Sequence, residues 1–194
     1  MELNCQACNP LKGATRQQPK PLAPLARQDF PTVIPATDCD RVTSSLLIGS
    51  CPLDSEEIEE LRSEGITAIL SLQTDEDLEE RGIEWERKAA LAANLTFRSV
   101  PVRDFDSADL QQKLPNCVVV LDGMLKADHT VYLHCTAGVG RSPTVAAAYL
   151  HWCLAWPLER ALAHVREARD CSPNAEAIRR ARWPRIKLWI CNRG

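Results

Sequence analysis

The sequence lacks the features that would place the protein in a membrane or on nucleic acid. No apolar run approaches the roughly 18–20 residues that cross a bilayer, so we expect a soluble protein with no membrane partner. The formal net charge of the 194 residues is only −3, with a pI of about 5.8, which gives no electrostatic basis for binding nucleic acid. No internal repeat is present. With 45% hydrophobic residues the chain can bury one sizeable core, and we expect a monomer.

The spacing of the cysteines also argues against a disulfide framework and a metal centre. The nine cysteines are odd in number and irregularly spaced, which argues against a secreted disulfide scaffold and favours a reducing compartment. Cys5 and Cys8 form a Cys-x-x-Cys pair, but a structural zinc site needs a second ligand pair, and none follows nearby. We therefore expect neither a metal ion nor another cofactor.

Residues 1–36 contain no serine, while they carry six prolines, four basic and two acidic residues with little apolar periodicity. This composition predicts a disordered extension, followed by one folded domain over residues 37–194. Low acidity is also typical of a plastid transit segment, whereas the lack of serine is not. The extension is therefore interpreted first as disordered and second as a transit segment.

The strongest signal is the stretch His134–Thr144, with the sequence HCTAGVGRSPT. An apolar, β-prone run, Val131–His134, precedes Cys135, and two glycines then bend the chain before an alanine-rich amphipathic segment opens at Arg141. A strand, a tight loop and a helix are predicted in that order. Loop amides and a helix N-terminus that converge on one point form an anion site. The residues predicted to bind a phosphate group are Thr136, Ala137, Gly138, Val139, Gly140 and Arg141.

Three side chains of this stretch suit nucleophilic chemistry on phosphorus. A helix N-terminus and a cationic neighbour lower the pKa of a thiol from about 8.5 to roughly 3.5–7.5, so Cys135 is predicted to be a thiolate nucleophile. Arg141 offers a planar fork of donors that matches two phosphate oxygens, and the hydroxyl of Ser142 is placed to stabilise the departing thiolate. Together they predict a phosphocysteine intermediate that forms without a metal ion.

The motif resembles the signature of cysteine-dependent protein tyrosine and dual-specificity phosphatases, because five loop residues separate His134-Cys135 from Arg141-Ser142. The narrower pattern Cys-x-Ala-Gly-hydrophobic-Gly-Arg is similar to that of the glucan phosphatases, the laforin and plant starch-excess group. The similarity in order and spacing extends over about residues 42–182. Further matching segments are Leu47–Ser50, Gly65–Leu70, Arg103–Asp106, Leu114–Pro115 and Ser172–Asn174.

A phosphatase of this type needs a general acid, on a separate loop, to protonate the departing oxygen. The resemblance implies that this acid is Asp104, and that Phe105 is a ring that contacts sugar. Asp106 remains a rival for the acid, and Asp109 is a candidate cap for the next helix. In an alternative interpretation all three carboxylates belong to turns or caps.

Strands alternate with helices along the chain, and the phosphate-binding loop is predicted at the carboxyl end of a strand. This order predicts an α/β fold with a central, mostly parallel sheet flanked by helices, as in dual-specificity and protein tyrosine phosphatases. The acidic stretch 75–80 is interpreted as a solvated loop, and Pro115 is expected to open the second segment of a helical stretch. Strands are predicted over 42–49, 66–72, 96–102 and 131–134, and helices over 54–64, 83–93, 110–125, 142–155, from Pro157 and from about 174 to 183, where Pro184 ends the last.

The resemblance implies a phosphatase that acts on a phosphorylated glucan such as starch or glycogen, located in a chloroplast or, alternatively, in the cytoplasm. The nearest alternative is a dual-specificity phosphatase of phosphoproteins, and a catalytically weak scaffold of the same fold is the third. The uncharged loop positions Thr136, Ala137 and Val139 disfavour a phosphoinositide, whose polyanionic head group is met by lysines. The plant enzymes carry an aromatic pair where this chain has Glu79–Gly82, so fewer rings are expected to stack on sugar.

Overall fold

A computed structural model of the protein describes residues 38–78 and 82–183. The boundary expected at residue 37 stays a prediction. Outside the described residues lie the extension over 1–36 with Cys5 and Cys8, the 79–81 part of the acidic stretch, and Pro184.

Five strands form one sheet in the described chain: β1 (Cys39–Thr43), β2 (Leu46–Gly49), β3 (Ala68–Ser71), β4 (Thr96–Ser99) and β5 (Val131–His134). Their order across the sheet is β1-β2-β5-β3-β4. β1 pairs antiparallel with β2, while all the other pairs are parallel. The predicted α/β class with a central, mostly parallel sheet is therefore confirmed.

The middle strand β5 sets the position of the predicted phosphate-binding loop. His134, the last residue of β5, lies beside Gly49 of β2 and Ser71 of β3. The carboxyl ends of parallel strands share one edge of a sheet, which is where open α/β sheets bind ligands. The segments that follow β2, β3 and β4 therefore meet the loop that begins at Cys135.

Helices cover both faces of this sheet. Leu46 and Ile48 of β2 contribute to one hydrophobic core, and Leu47 between them contributes to a second core on the opposite face, as the two-residue period of a strand requires. None of the described helices is both long and apolar enough to span a bilayer. The helices are α1 (Ser55–Ser63), α2 (Ile83–Ala92), α3 (Ser107–Lys126), α4 (Arg141–Trp152), α5 (Leu158–Ala168) and α6 (Ala175–Arg180).

The prediction of a single strand over 42–49 is wrong. The chain turns at Ser44-Ser45, so that β1 and β2 form an antiparallel hairpin instead. Serine is a common turn residue, and here the turn is held by a hydrogen bond from the Arg41 guanidinium to the Ser44 carbonyl (2.8 Å). The hairpin places β1 at the edge of the sheet and brings Asp38 and Asp40 toward the loop after β5.

Three other predictions of local structure differ from the structure. Pro115 does not open a second helical segment, because it lies inside the single 20-residue helix α3. The described part of the acidic stretch is not a loop in solvent: Asp75–Leu78 forms one 3₁₀ turn, and the Asp77 side chain is only 11% exposed. The last helix, α6, ends at Arg180, before the predicted end at 183.

Gly49 is expected to be the least replaceable glycine of the sheet. A Cβ atom at this position would overlap the Asp38 carbonyl oxygen and the Tyr132 hydroxyl group. We predict that Gly49→Ala lowers the free energy of unfolding in urea by about 1–3 kcal/mol, the usual cost of overpacking. Gly123→Ala is the matched control, because a Cβ there meets no atom within 4 Å, and in helix α3 alanine should add about 0.5–1 kcal/mol. Equal effects of the two variants would contradict the prediction.

Candidate active site

The carbonyl groups of the loop Thr136–Gly140 point outward and are held by hydrogen bonds from other parts of the protein. Each of these five consecutive carbonyls accepts a hydrogen bond from a group that lies outside the loop. The donors, in order, are the Cys51 amide (2.9 Å), Arg169 Nη2 (3.3 Å), Arg169 Nε (3.0 Å), the Ser172 amide (2.8 Å) and the Thr144 hydroxyl (2.7 Å). Because a planar trans peptide points its C=O and the next N–H in opposite directions, the amides that follow face the loop's interior.

Gly138 is the residue of this loop whose backbone requires glycine. Its φ angle is +68°, and a Cβ atom would overlap the backbone of Gly49. The loop then runs into α4, which begins at Arg141, so the N-terminal end of a helix lies at the same point. The predicted phosphate-binding residues therefore form a concave nest of N–H donors at the N-terminus of a helix.

Cys135 lies at the base of this nest and is 3% exposed. Its sulfur is 3.4 Å from the Ser142 hydroxyl oxygen. Burial alone would raise the pKa of the thiol, but hydrogen bonds from the hydroxyl and amide of Ser142, the charge of Arg141 and the Gly138 amide outweigh it, so the pKa lies below its usual value. The geometry therefore stabilises a thiolate.

Arg141 projects from the first turn of α4 into the same cleft, and its side chain is 3% exposed. Nη1 and Nη2 donate to the two carboxylate oxygens of Asp77 at 2.7 and 3.2 Å, and Nη1 also donates to the Val102 carbonyl (2.7 Å). Hydrogen bonds from Arg141 and Thr74 outweigh burial and hold the pKa of the Asp77 carboxyl below its usual value. Asp77 thus fixes the guanidinium plane, which corrects the interpretation of this segment as a solvated loop.

The other edge of the guanidinium is formed by Nε and Nη2. Arg141 Nε is buried and has no hydrogen-bond partner among the described residues. Nη2 is 3.0 Å from Asp104 Oδ2 and also donates to the Thr136 hydroxyl (3.0 Å). An oxyanion that replaced the Asp104 carboxylate would receive Nε and Nη2 together, the bidentate geometry expected of an Arg–phosphate pair.

Asp104 and Phe105 form one wall of a cavity of about 320 Å³ that contains Cys135 and Arg141. The Asp104 side chain is 37% exposed, and its carboxylate accepts a hydrogen bond from the Phe105 amide (3.0 Å). Phe105 is fully exposed and has a φ angle of +56°. The loop therefore brings one carboxylate to the nucleophile and presents one ring to solvent at the mouth of the cavity.

The two neighbouring carboxylates have structural contacts. Asp106, the rival acid of the sequence analysis, is the N-cap of α3 and accepts hydrogen bonds from the amides of Ala108 and Asp109. The prediction that Asp109 caps this helix is wrong, because its carboxylate instead accepts from the Arg103 amide (2.8 Å) and pairs with Lys113. Both contacts hold the loop that carries Asp104.

Metal ligands are not grouped in this part of the chain. Over residues 38–78 and 82–183, no three His, Cys, Asp or Glu side chains are placed to hold a metal ion. The ligands that the site offers are amide N–H groups, a guanidinium and a hydroxyl, which suit an oxyanion.

Sequence reasoning missed two residues that build this site, Asp77 and Arg169. Arg169 is 9% exposed, and its guanidinium pairs with Asp38 (2.6 Å) and Asp40 (2.8 Å) while donating to the loop carbonyls. Asp77 could have been found, because a carboxylate that follows β3 lies at the sheet edge where ligands bind. Arg169 lies 31 residues from the carbonyl of Gly138, and no local pattern marks it.

Comparisons with known proteins show which family and which relatives this chain is similar to. Residues 49–155 match the family model described as polymorphic toxin system, DSP-PTPase phosphatase. The chain is 35% identical over 150 residues to the chloroplastic phosphoglucan phosphatase LSF1 of Arabidopsis thaliana, covering 76% of this chain and 25% of that protein. It is 34% identical over 144 residues to the amyloplastic phosphoglucan phosphatase DSP4 of Castanea sativa, covering 72% and 38%. The chain thus spans well under half the length of these relatives.

A solved structure supports the fold independently. The crystal structure of Tk-PTP in the active form superposes with a TM-score of 0.60, covering 73% of this chain and 91% of that one. The two sequences are 22% identical. At this level of identity the match concerns the fold, which is the one that the sequence predicted.

We predict that Asp77→Asn weakens oxyanion binding, because the guanidinium loses the charged partner that fixes its plane. A misplacement of about 1 Å in such a group costs on the order of 10²-fold, and we expect a loss of 10- to 100-fold in tungstate affinity by isothermal titration calorimetry. Asp75→Asn, in the same 3₁₀ turn but exposed, is the matched control and should bind as the wild type does. Unchanged affinity in Asp77→Asn would contradict the role given to Asp77.

Proposed function

Because the chain belongs to the DSP-PTPase phosphatase family, we propose that it hydrolyses phosphomonoesters through a phosphocysteine intermediate. The observation that supports this most directly is the position of the Cys135 sulfur at the base of a nest of amides, beside Arg141, whose Nε has no hydrogen-bond partner among the described residues and whose Nη2 contacts Asp104. The nest and the arginine bind the three outer phosphate oxygens. The thiolate then lies in line with the fourth oxygen, which leaves.

The first half-reaction transfers the phosphoryl group to sulfur. The Cys135 thiolate attacks phosphorus, an S–P bond forms, and the bond from phosphorus to the ester oxygen breaks. Asp104, in its protonated form, gives its proton to that oxygen, so that an alcohol leaves. The loop amides and Arg141 stabilise the charge on the outer oxygens in the transition state.

The second half-reaction restores the enzyme. Asp104, now a carboxylate, removes a proton from water as the water oxygen attacks phosphorus. The S–P bond breaks, inorganic phosphate forms, and the Ser142 hydroxyl, 3.4 Å from the sulfur, donates to the departing thiolate. The cycle needs no electrons and no metal ion.

Phosphorylated glucan is the substrate class that we propose. The two relatives at 35% and 34% identity are named as phosphoglucan phosphatases, and a fully exposed ring, Phe105, borders the cavity. An aromatic face packs well on the apolar face of a sugar. The same names, chloroplastic and amyloplastic, support a plastid location, with the cytoplasm as the alternative.

Phosphate release from phosphorylated amylopectin, from para-nitrophenyl phosphate and from a phosphotyrosine peptide tests the activity and the substrate class together. We predict turnover of all three by the wild type, with amylopectin favoured at equal phosphate concentration. Cys135→Ser should bind tungstate but release no phosphate from any of them. Phe105→Ala should lose activity on amylopectin and hardly any on para-nitrophenyl phosphate, because the small aryl phosphate offers no sugar face for the ring to contact. A preference for the peptide would instead assign the chain to the phosphoprotein phosphatases.

A second experiment on this proposed function distinguishes Asp104 from Asp106 as the general acid. Asp104→Asn should lose about 10²–10⁴ in rate on glucan phosphate, whose leaving oxygen needs a proton. The loss should be much smaller on para-nitrophenyl phosphate, whose leaving group is stable as an anion. Asp106→Asn is the control, because asparagine retains the N-cap of α3, and its effect should be small on both substrates. If Asp106→Asn shows the leaving-group dependence, Asp106 is the acid.

A further inference from the structure

A buried glutamate is connected to the nucleophile through one imidazole ring. Glu86, on the inner face of α2, is 1% exposed, and His134, the last residue of β5, is fully buried. The Glu86 Oε1 atom is 2.7 Å from His134 Nε2. The other ring nitrogen, Nδ1, is 3.1 Å from the carbonyl oxygen of Cys135. One side chain from α2 is therefore linked by the histidine to the backbone of the catalytic cysteine.

The partners of the two ring nitrogens constrain the protons of the pair. A carbonyl oxygen and a carboxylate oxygen only accept hydrogen bonds, whereas a neutral imidazole carries one N–H. Two arrangements satisfy both contacts: an imidazolium with an ionised Glu86, or a neutral imidazole with a protonated Glu86. The other carboxylate oxygen, Oε2, is buried without a hydrogen-bond partner among the described residues.

We propose that Glu86 is a positioning residue that holds His134 as an imidazolium, whose positive charge stabilises the thiolate of Cys135. The proposal rests on the proposed use of Cys135 as the nucleophile. The imidazolium belongs to the residue next to Cys135, while the balancing carboxylate lies on the far side of the ring. The nearer positive charge dominates at the sulfur, because Coulomb energy falls with distance.

The other groups around the pair are consistent with this charge state. Burial alone would lower the pKa of His134, but the charge of Glu86, its hydrogen bond and the Cys135 carbonyl raise it above the usual value. Tyr132, stacked on the His134 ring at 5.6 Å, is kept neutral because burial raises its pKa. Cys51, which interacts with both Glu86 and Cys135, has a raised pKa through burial and is also neutral. Glu86 is thus the group that balances the charge of the ring.

The substitution Glu86→Gln removes the negative charge of the side chain and keeps its shape. The glutamine amide can donate to His134 Nε2 while Nδ1–H still donates to the Cys135 carbonyl, so a neutral ring keeps both contacts. Glu84→Gln is the matched control: the same change, two residues earlier on the same helix, at an exposed glutamate paired with Arg87.

The experiment measures the pH dependence of Cys135 alkylation by iodoacetamide, with the modified peptide quantified by mass spectrometry. In Glu86→Gln we expect the midpoint to rise by about one pH unit, a tenfold smaller thiolate fraction below the midpoint. Glu84→Gln should titrate as the wild type does. The remaining described thiols react at higher pH, because burial raises the pKa of Cys39, Cys51, Cys117, Cys153 and Cys171.

Nitrogen-15 NMR of the imidazole rings provides a readout that a merely structural role would not change. His134 should carry protons on both ring nitrogens at pH 7 in the wild type and on one in Glu86→Gln. A neutral His134 in the wild type, or an unshifted alkylation midpoint in a folded Glu86→Gln, would overturn the proposal. Because alkylation and NMR need no turnover, they remain decisive if the protein releases no phosphate, which would instead count against the proposed function.

Discussion

The rest of the site depends on the hydrogen bonds that hold the five consecutive carbonyl groups of Thr136–Gly140 outward. Amide dipoles that point to one centre repel one another, so a nest of N–H groups persists only if the carbonyl side is held firmly. Here four of the five carbonyls are bonded to donors from distant parts of the chain, and Arg169 alone donates to two of them. Its charge is balanced by Asp38 and Asp40 at the β1 edge. The β1 edge of the sheet therefore helps to hold the loop in place.

Asp77 and Asp104, the two carboxylates that contact Arg141, have different roles because their surroundings differ. A buried guanidinium must be paired, since an unpaired buried charge is very costly. Asp77 is 11% exposed, forms two hydrogen bonds to Arg141 and is itself held by the amide and hydroxyl of Thr74. Asp104 is 37% exposed and makes a single contact with Arg141. We therefore expect an arriving phosphate dianion to displace Asp104, which the proposed mechanism then uses at the leaving oxygen, while Asp77 stays in place.

The sequence was informative wherever the deciding interactions are local. The alternation of strands and helices predicted the α/β class, and the glycines of HCTAGVGRSPT predicted the turn between β5 and α4. Predictions were wrong where a long-range contact decides the outcome. The Ser44-Ser45 turn is also bonded to a distant strand, because the Ser45 carbonyl accepts from the Val131 amide of β5 (2.8 Å), and Pro115 remains helical inside a helix packed on the core. Asp77 is largely covered, and its partner Arg141 lies 64 residues away. Composition alone cannot distinguish such a carboxylate from a solvated one.

The chemistry of the site and its choice of substrate depend on different residues. The loop amides, Cys135 and Arg141 fit any phosphate group. Substrate specificity therefore depends on the side chains at the rim of the cavity. There Phe105 adopts a φ angle of +56° and is fully exposed. An aromatic residue in the left-handed region costs about 1 kcal/mol or more, and an exposed ring recovers none of this by burial. Contact with a bound substrate would compensate that cost, and this supports Phe105 as the ring that a glucan meets.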